Sequence, residues 1–160
     1  MLPELSGHPI RVEVRRSLGS HLAATSIPRR LILLDAAVFA RRGEFERILI
    51  HELFHFAWVR LSNQLRHAWE DILMNELAAR AAGELGWSAE WRKDMLSPKD
   101  IRSRSPRWRR YACESFCDTA AWLFSGLGRH DEFTLARPLR RLRRQWFARA
   151  LEDGRDTLKV

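Results

Sequence analysis

Cysteine is scarce in this 160-residue chain, with Cys113 and Cys117 the only two. Four positions apart in one segment, they make no cross-linking framework, which argues against a small secreted domain held by disulfides. Long apolar runs are missing as well. The opening "MLPELSGHPIRVEVRR" shows no apolar stretch behind a basic start, so no signal peptide is expected, and no segment is long enough to span a bilayer. A reducing cytoplasm is the expected compartment, with no membrane partner. Internal repeats, low-complexity tracts and linker-like stretches are also absent. The length then points to one domain over residues 1–160.

What is present favours a packed core. Hydrophobic residues make up 46% of the chain, enough for it to fold rather than stay disordered. The formal charge is +8, which raises nucleic acid as a lesser alternative partner. Almost all of that charge is arginine, however, as a GC-rich genome produces without any polyanion to bind. The segments "RSRSPRWRR" and "RPLRRLRRQWFAR" mix arginine with tryptophan in the manner of nucleic-acid surfaces. In the second, Leu139, Leu142 and Trp146 fall on one helical stripe and read as core-facing. Seven tryptophans argue for a well-packed interior.

The N-terminal third reads as short strands and the remainder as helices, an α+β pattern. "IRVEVR" (Ile10 to Arg16) alternates apolar and polar residues like a half-buried strand, "HLAATSI" is a weaker candidate, and Leu31 to Leu34 is a short apolar run. A helix is expected from near Glu44, after Gly43. Another is expected from Ala68 to Gly86, with Gly86 as its C-terminal glycine. Ser88 is the expected cap of a short helix through Met95. "SPKDIRSRSPRWRR" reads as a mobile polar loop, "WRRYACESFCDTAAWLFSGLG" as a helix stopped by Gly126 and Gly128, and Thr134 to Leu151 as the last helix.

Within "ILIHELFHFAW" (Ile48 to Trp58), two histidines and a glutamate interrupt an apolar helix. Residues i and i+4 share a helical face, so His51 and His55 can aim two ring nitrogens at one point about 2 Å away, the usual zinc–nitrogen distance. Glu52 sits one position round, within reach of a water at the metal. This is the H-E-x-x-H arrangement, with the glutamate as general base.

Catalytic zinc normally takes three protein ligands and a water. The metzincin extension would need glycine at position 58 and histidine at 61, where this chain has Trp58 and Leu61. His67, Glu76, Glu90 and Glu114 remain as candidates. Glu114 is preferred, because Asp118 follows it four residues later on the same helical face. One carboxylate can bind metal while the other accepts the free N–H of a ligating histidine. Ala112, Ser115, Ala120 and Ala121 are small enough to let this helix approach the first. Tyr111 and His130 are candidates to hydrogen-bond an oxyanion on the attacked carbonyl, with Tyr111, one turn before Glu114, preferred. Cys113 and Cys117 share a helical face that could bind metal, with small buried hydrophobes the preferred reading.

H-E-x-x-H followed by a helical E-x-x-x-D resembles the gluzincin metallopeptidases. The order "RLILLD", "GEFERILIHELFHFAW", "ESFCDTAAWLF" is similar to the compact ImmA/IrrE-like and minigluzincin proteins. The resemblance covers the order of elements from about Arg30 to Phe124. It implies a small zincin-like domain with His51, His55 and Glu114 as zinc ligands, Glu52 as general base and Asp118 orienting His51. It also implies that Leu31 to Asp35 rims the cleft and takes an extended peptide by strand addition. The chain departs from those families in having Phe54 where they often carry glycine, and in lacking a helix-turn-helix module. The expected activity is zinc-dependent hydrolysis of peptide bonds in a peptide or protein substrate. One alternative resembles the SprT-like proteases acting at DNA, with His67 as third ligand. Another is a non-catalytic, zinc-stabilised DNA-binding or regulatory protein.

Overall fold

The apolar run at Leu31 to Leu34 becomes the middle of a three-stranded sheet. In the computed structural model, which describes residues 2–153 and 157–160, the N-terminal third forms β1 (Glu4–Ser6), β2 (Arg11–Arg15), β3 (Ala23–Ser26) and β4 (Leu31–Asp35). β4 lies between β2, parallel to it, and β3, antiparallel to it. Ile32 and Leu34 of β4 are fully buried. Asp35 ends the strand by accepting from the backbone N–H groups of Leu18 and Ala37 at 2.6 and 2.8 Å, and a 3-10 turn (Ala36–Phe39) follows.

The helices are α1 (Glu44–Trp58), α2 (Asn63–Ala78), α3 (Trp87–Asp94), α4 (Pro98–Arg102), α5 (Pro106–Phe124) and α6 (Arg137–Asp153). A last strand, β5 (Thr157–Lys159), pairs in parallel with β1. The fold is α+β, with short N-terminal strands followed by helices. Three-residue β1 and β5 are too short to show a period-two signal, so neither was expected. Among the described residues no helix is long and apolar enough to cross a membrane.

α1 starts at Gly43, whose φ of 83° is the left-handed conformation that glycine adopts without strain. Glu44 and Glu46 in its first turn suit the positive end of the helix dipole. It packs chiefly against α5, where Ala112, Ala120 and Ala121 are buried. Phe54 stacks on Phe124 at 5.5 Å and Phe116 on Phe147 at 5.0 Å, while the indole N–H of buried Trp69 donates to Ala112 O at 3.0 Å. Each fully buried phenylalanine or leucine here contributes about 1.5–3 kcal/mol of transfer free energy.

Several local expectations give way to tertiary contacts. The helix expected to reach Gly86 stops at Ala78, and Arg80 turns left-handed (φ 53°). The released segment carries Glu84 into the core, where it meets Arg143, so a buried ion pair overrides helix propensity. The polar stretch expected as a mobile loop holds α4, with a complete capping box between Ser97 and Asp100, and the start of α5, capped by Ser105. The last stripe holds at Leu135, Trp146 and Ala150, which are buried, but Leu142 is half exposed and Arg143 and Phe147 turn inward beside it. β2 is an edge strand whose Val12 and Val14 face solvent, 47% and 52% exposed, rather than a half-buried one.

Candidate metal centre

α1 and α5 bring the candidate residues to one cleft. His51 Nδ1 lies 2.7 Å from Asp118 Oδ1, and the other Asp118 oxygen accepts the Ala89 N–H at 3.0 Å. A Cβ on Gly86 would collide with that carboxylate, so the residue expected to end a helix instead caps α3 and makes room for Asp118. Asp118 is thereby fixed from two elements. His51 Nε2, the other ring nitrogen, lies 3.3 Å from Glu114 Oε2.

α3 supplies the support for Glu114. Ser88, expected as a helix cap, donates its hydroxyl to Glu114 Oε2 at 2.6 Å, and Arg92 Nη2 lies 3.3 Å from Oε1. The ligand-type atoms of His51, Glu52 and His55 all lie within 4.8 Å of one another, and so do those of His55, Cys113 and Cys117. Glu114 joins through His51, and it lines the same hollow of about 290 Å³ as Glu52, His55 and Cys113. On the other side of Glu52 a second hollow of about 250 Å³ is lined by His51, Asp118, Arg47, Trp87 and Leu22. The Glu52 backbone carbonyl accepts from Thr25 Oγ1 at 3.3 Å. Its carboxylate has no hydrogen-bond or ion-pair partner among the described residues.

The field in this cleft is set by burial and close charges. Burial disfavours the His51 imidazolium, but Asp118, Glu114 and Glu52 outweigh it and hold the pKa well above the ordinary value. Burial pushes Glu114 up, yet His51, His55 and Ser88 bring it down to about 2. A hydrogen bond from Cys117 draws Cys113 down to about 6 with help from His55, while burial drives Cys117 up. Each His51 ring nitrogen thus faces its own carboxylate, Nδ1 that of Asp118 and Nε2 that of Glu114.

Tyr111 corrects an expectation. It is fully buried and its hydroxyl donates to Glu84 Oε1 at 2.6 Å, in the core and lining neither hollow, so it cannot meet an oxyanion there. His130 is bound to Glu44 Oε1 at 2.6 Å and likewise lines neither hollow. His67 is exposed on α2, Glu76 is paired with Arg143, and Glu90 accepts from Thr134 at 3.4 Å. β4, expected to rim the cleft, is the central strand with both edges paired; β3 is the strand beside the cleft, with Ala23 and Thr25 lining its two hollows. Sequence reasoning missed the roles of Ser88 and Gly86, and ranked a metal role for the two cysteines, which face His55, below that of buried hydrophobes. The four-residue spacing of Cys113 and Cys117, continued to Asp118 beside Glu114, was the available signal for one shared face.

Comparison with protein-family models, with curated proteins and with solved structures finds no match to this chain. The chemistry of the cleft is therefore read from its own donors.

Proposed function

We propose that the chain is a zinc-dependent peptidase of the gluzincin kind, with His51, His55 and Glu114 holding the ion. Two imidazole nitrogens and a carboxylate are one of the usual donor sets of catalytic zinc. Nitrogen and oxygen ligands about 2.0–2.2 Å from a common ion in a tetrahedron stand ~3.3–3.5 Å apart, and His51 Nε2 and Glu114 Oε2 are 3.3 Å apart. The observation that carries the reading is this approach together with the Asp118 contact on the opposite ring nitrogen. By accepting from Nδ1–H, Asp118 leaves the Nε2 lone pair for a metal.

When bound, zinc would supply a Lewis acid that polarises a carbonyl and makes water more acidic. Glu52, with its unpaired carboxylate between the two hollows, takes a proton from the attacking water and passes it to the leaving amine. Ser88 and Arg92 hold Glu114 in one orientation. The free edge of β3 offers main-chain groups to an extended peptide, and Trp87, 64% exposed at the rim, offers an apolar face to a substrate side chain.

The test is Glu52→Gln, assayed on a casein-like protein and a mixed peptide library. Hydrolysis should fall by about 10²–10⁴-fold with zinc content unchanged. A variant that cleaves as fast as the parent refutes the role of Glu52.

A further inference from the structure

His55 turns its Nδ1 away from the first cluster and toward two sulfurs. Cys113 Sγ lies 3.4 Å and Cys117 Sγ 3.5 Å from it. Both cysteines are free thiols. Zinc–sulfur bonds of about 2.3 Å and zinc–nitrogen bonds of about 2.0–2.1 Å imply ~3.5 Å between sulfur and nitrogen in a tetrahedral site. The observed separations match that figure before any ion is added. Cys113 and His55 also line the hollow of about 290 Å³, which provides an entry path and space for a solvent molecule as fourth ligand.

We propose that His55 Nδ1, Cys113 and Cys117 form a second metal site, selective for a thiophilic cation, whose occupation excludes metal from the His51–Glu114 cluster. Two thiolates and an imidazole are soft donors that favour Cu(I), Zn(II) or Cd(II) over calcium or magnesium. Each thiol releases its proton to solvent as its sulfur–metal bond forms, so a divalent ion displaces two protons and no electron moves. Exclusion follows from the imidazole itself. A neutral ring has one nitrogen with a free lone pair and one that carries hydrogen. When Nδ1 gives its lone pair to the thiolate-bound ion, Nε2 bears the proton and cannot also ligate. Soft metal at the sulfurs thus acts as an inhibitor, and it does so through a ligand swap on one residue.

The three-atom cluster stands on its own geometry, and only the exclusion depends on the zinc reading given above. The test is a cadmium titration of chelator-treated protein, followed by the sulfur-to-cadmium charge-transfer absorbance. Because the chain has two cysteines, any such band reports this pair. One cadmium per chain should saturate the band, and Cys113→Ser, Cys117→Ser and His55→Ala should each weaken binding at least about tenfold. Glu114→Ala should keep the band unchanged. Cadmium NMR on the parent should show two sulfurs and one nitrogen, a readout that needs no variant to fold. Absence of the band at stoichiometric cadmium, or affinity unchanged in His55→Ala, overturns the site. Uptake of one zinc beside one bound cadmium overturns the exclusion. Failure of the Cys113→Ser/Cys117→Ser protein, which keeps His51, His55 and Glu114, to take up zinc refutes the earlier reading and leaves the thiolate site standing.

Discussion

Two buried charge networks both draw on α5, and they differ in whether their members are satisfied. In the core, fully buried Arg143 binds Glu76 through two nitrogens at 2.6 and 3.0 Å and Glu84 through a third at 2.7 Å. The second Glu84 oxygen takes the Tyr111 hydroxyl and lies 3.5 Å from Lys93 Nζ. Every carboxylate oxygen of that network has a partner. In the cleft, His51 and Glu114 approach only to 3.3 Å, His55 faces thiols, and the Glu52 carboxylate has no partner among the described residues. Closed networks fix the fold, whereas an open one beside a hollow is where a cation can enter.

The comparison is broken most severely at Arg143. Arg143→Ala leaves two buried carboxylates uncompensated and should cost about 3–5 kcal/mol, measured by denaturant unfolding. Glu114→Ala in the metal-free protein should cost much less, because its site opens to solvent. Equal losses would show that both networks are structural. Tyr111→Phe probes the closed network more gently. Removing the hydroxyl leaves one Glu84 oxygen short of a donor, and the expected cost is about 1–3 kcal/mol with peptide hydrolysis unchanged. A loss of activity beyond the loss of folded protein would restore Tyr111 to the site.

Asp118→Ala sharpens the contrast from the other side. It removes the acceptor that orients His51 and should weaken zinc binding about 10–100-fold, with a further stability cost of about 1–3 kcal/mol because the buried Ala89 N–H loses its acceptor. Metal titration against a chromophoric chelator reads this directly.

The smallest effect is the opposite pH response of the two networks. Burial pushes Glu84 up, but Arg143, Lys93 and the Tyr111 hydroxyl together hold it below its ordinary value of 4.5, so its stabilisation is full above pH 4.5 and is lost as the pH falls through its folded pKa. His51 is raised above 6.5, so in metal-free protein its contribution is full below pH 6.5 and is lost as the pH rises through its folded pKa. Zinc must displace the His51 proton, so affinity should fall by about tenfold per pH unit for each proton displaced on the acid side. Unfolding curves with and without zinc from pH 4 to pH 9 (about the range in which both groups respond) would show this crossover.

The α+β class was legible because the apolar run at Leu31 to Leu34 and the helical spacing around His51 are strong local signals. The closed network was not legible. Arg143 reads as one more surface arginine in "RPLRRLRRQWFAR", and Glu84 reads as a helix residue in "AARAAGELG". Their burial depends on each finding the other 59 residues away, which no local pattern records. The cleft was half legible. Glu114 and Asp118 share a face by spacing alone, but Ser88 and Gly86 are recognised only once α3 is seen against α5. Tyr111 misled because its hydroxyl is taken by Glu84, a partner from another segment that the spacing to Glu114 does not record.

Zinc analysis of a Cys113→Ser/Cys117→Ser parent, which lacks the thiolate donors, beside its Glu114→Ala and Glu52→Gln variants tests the account most directly. The parent and Glu52→Gln should each hold about one zinc per chain and Glu114→Ala almost none, as expected for three protein ligands with one removed. Zinc retained at full occupancy in Glu114→Ala, or absent from the parent after incubation with the metal, would contradict the account.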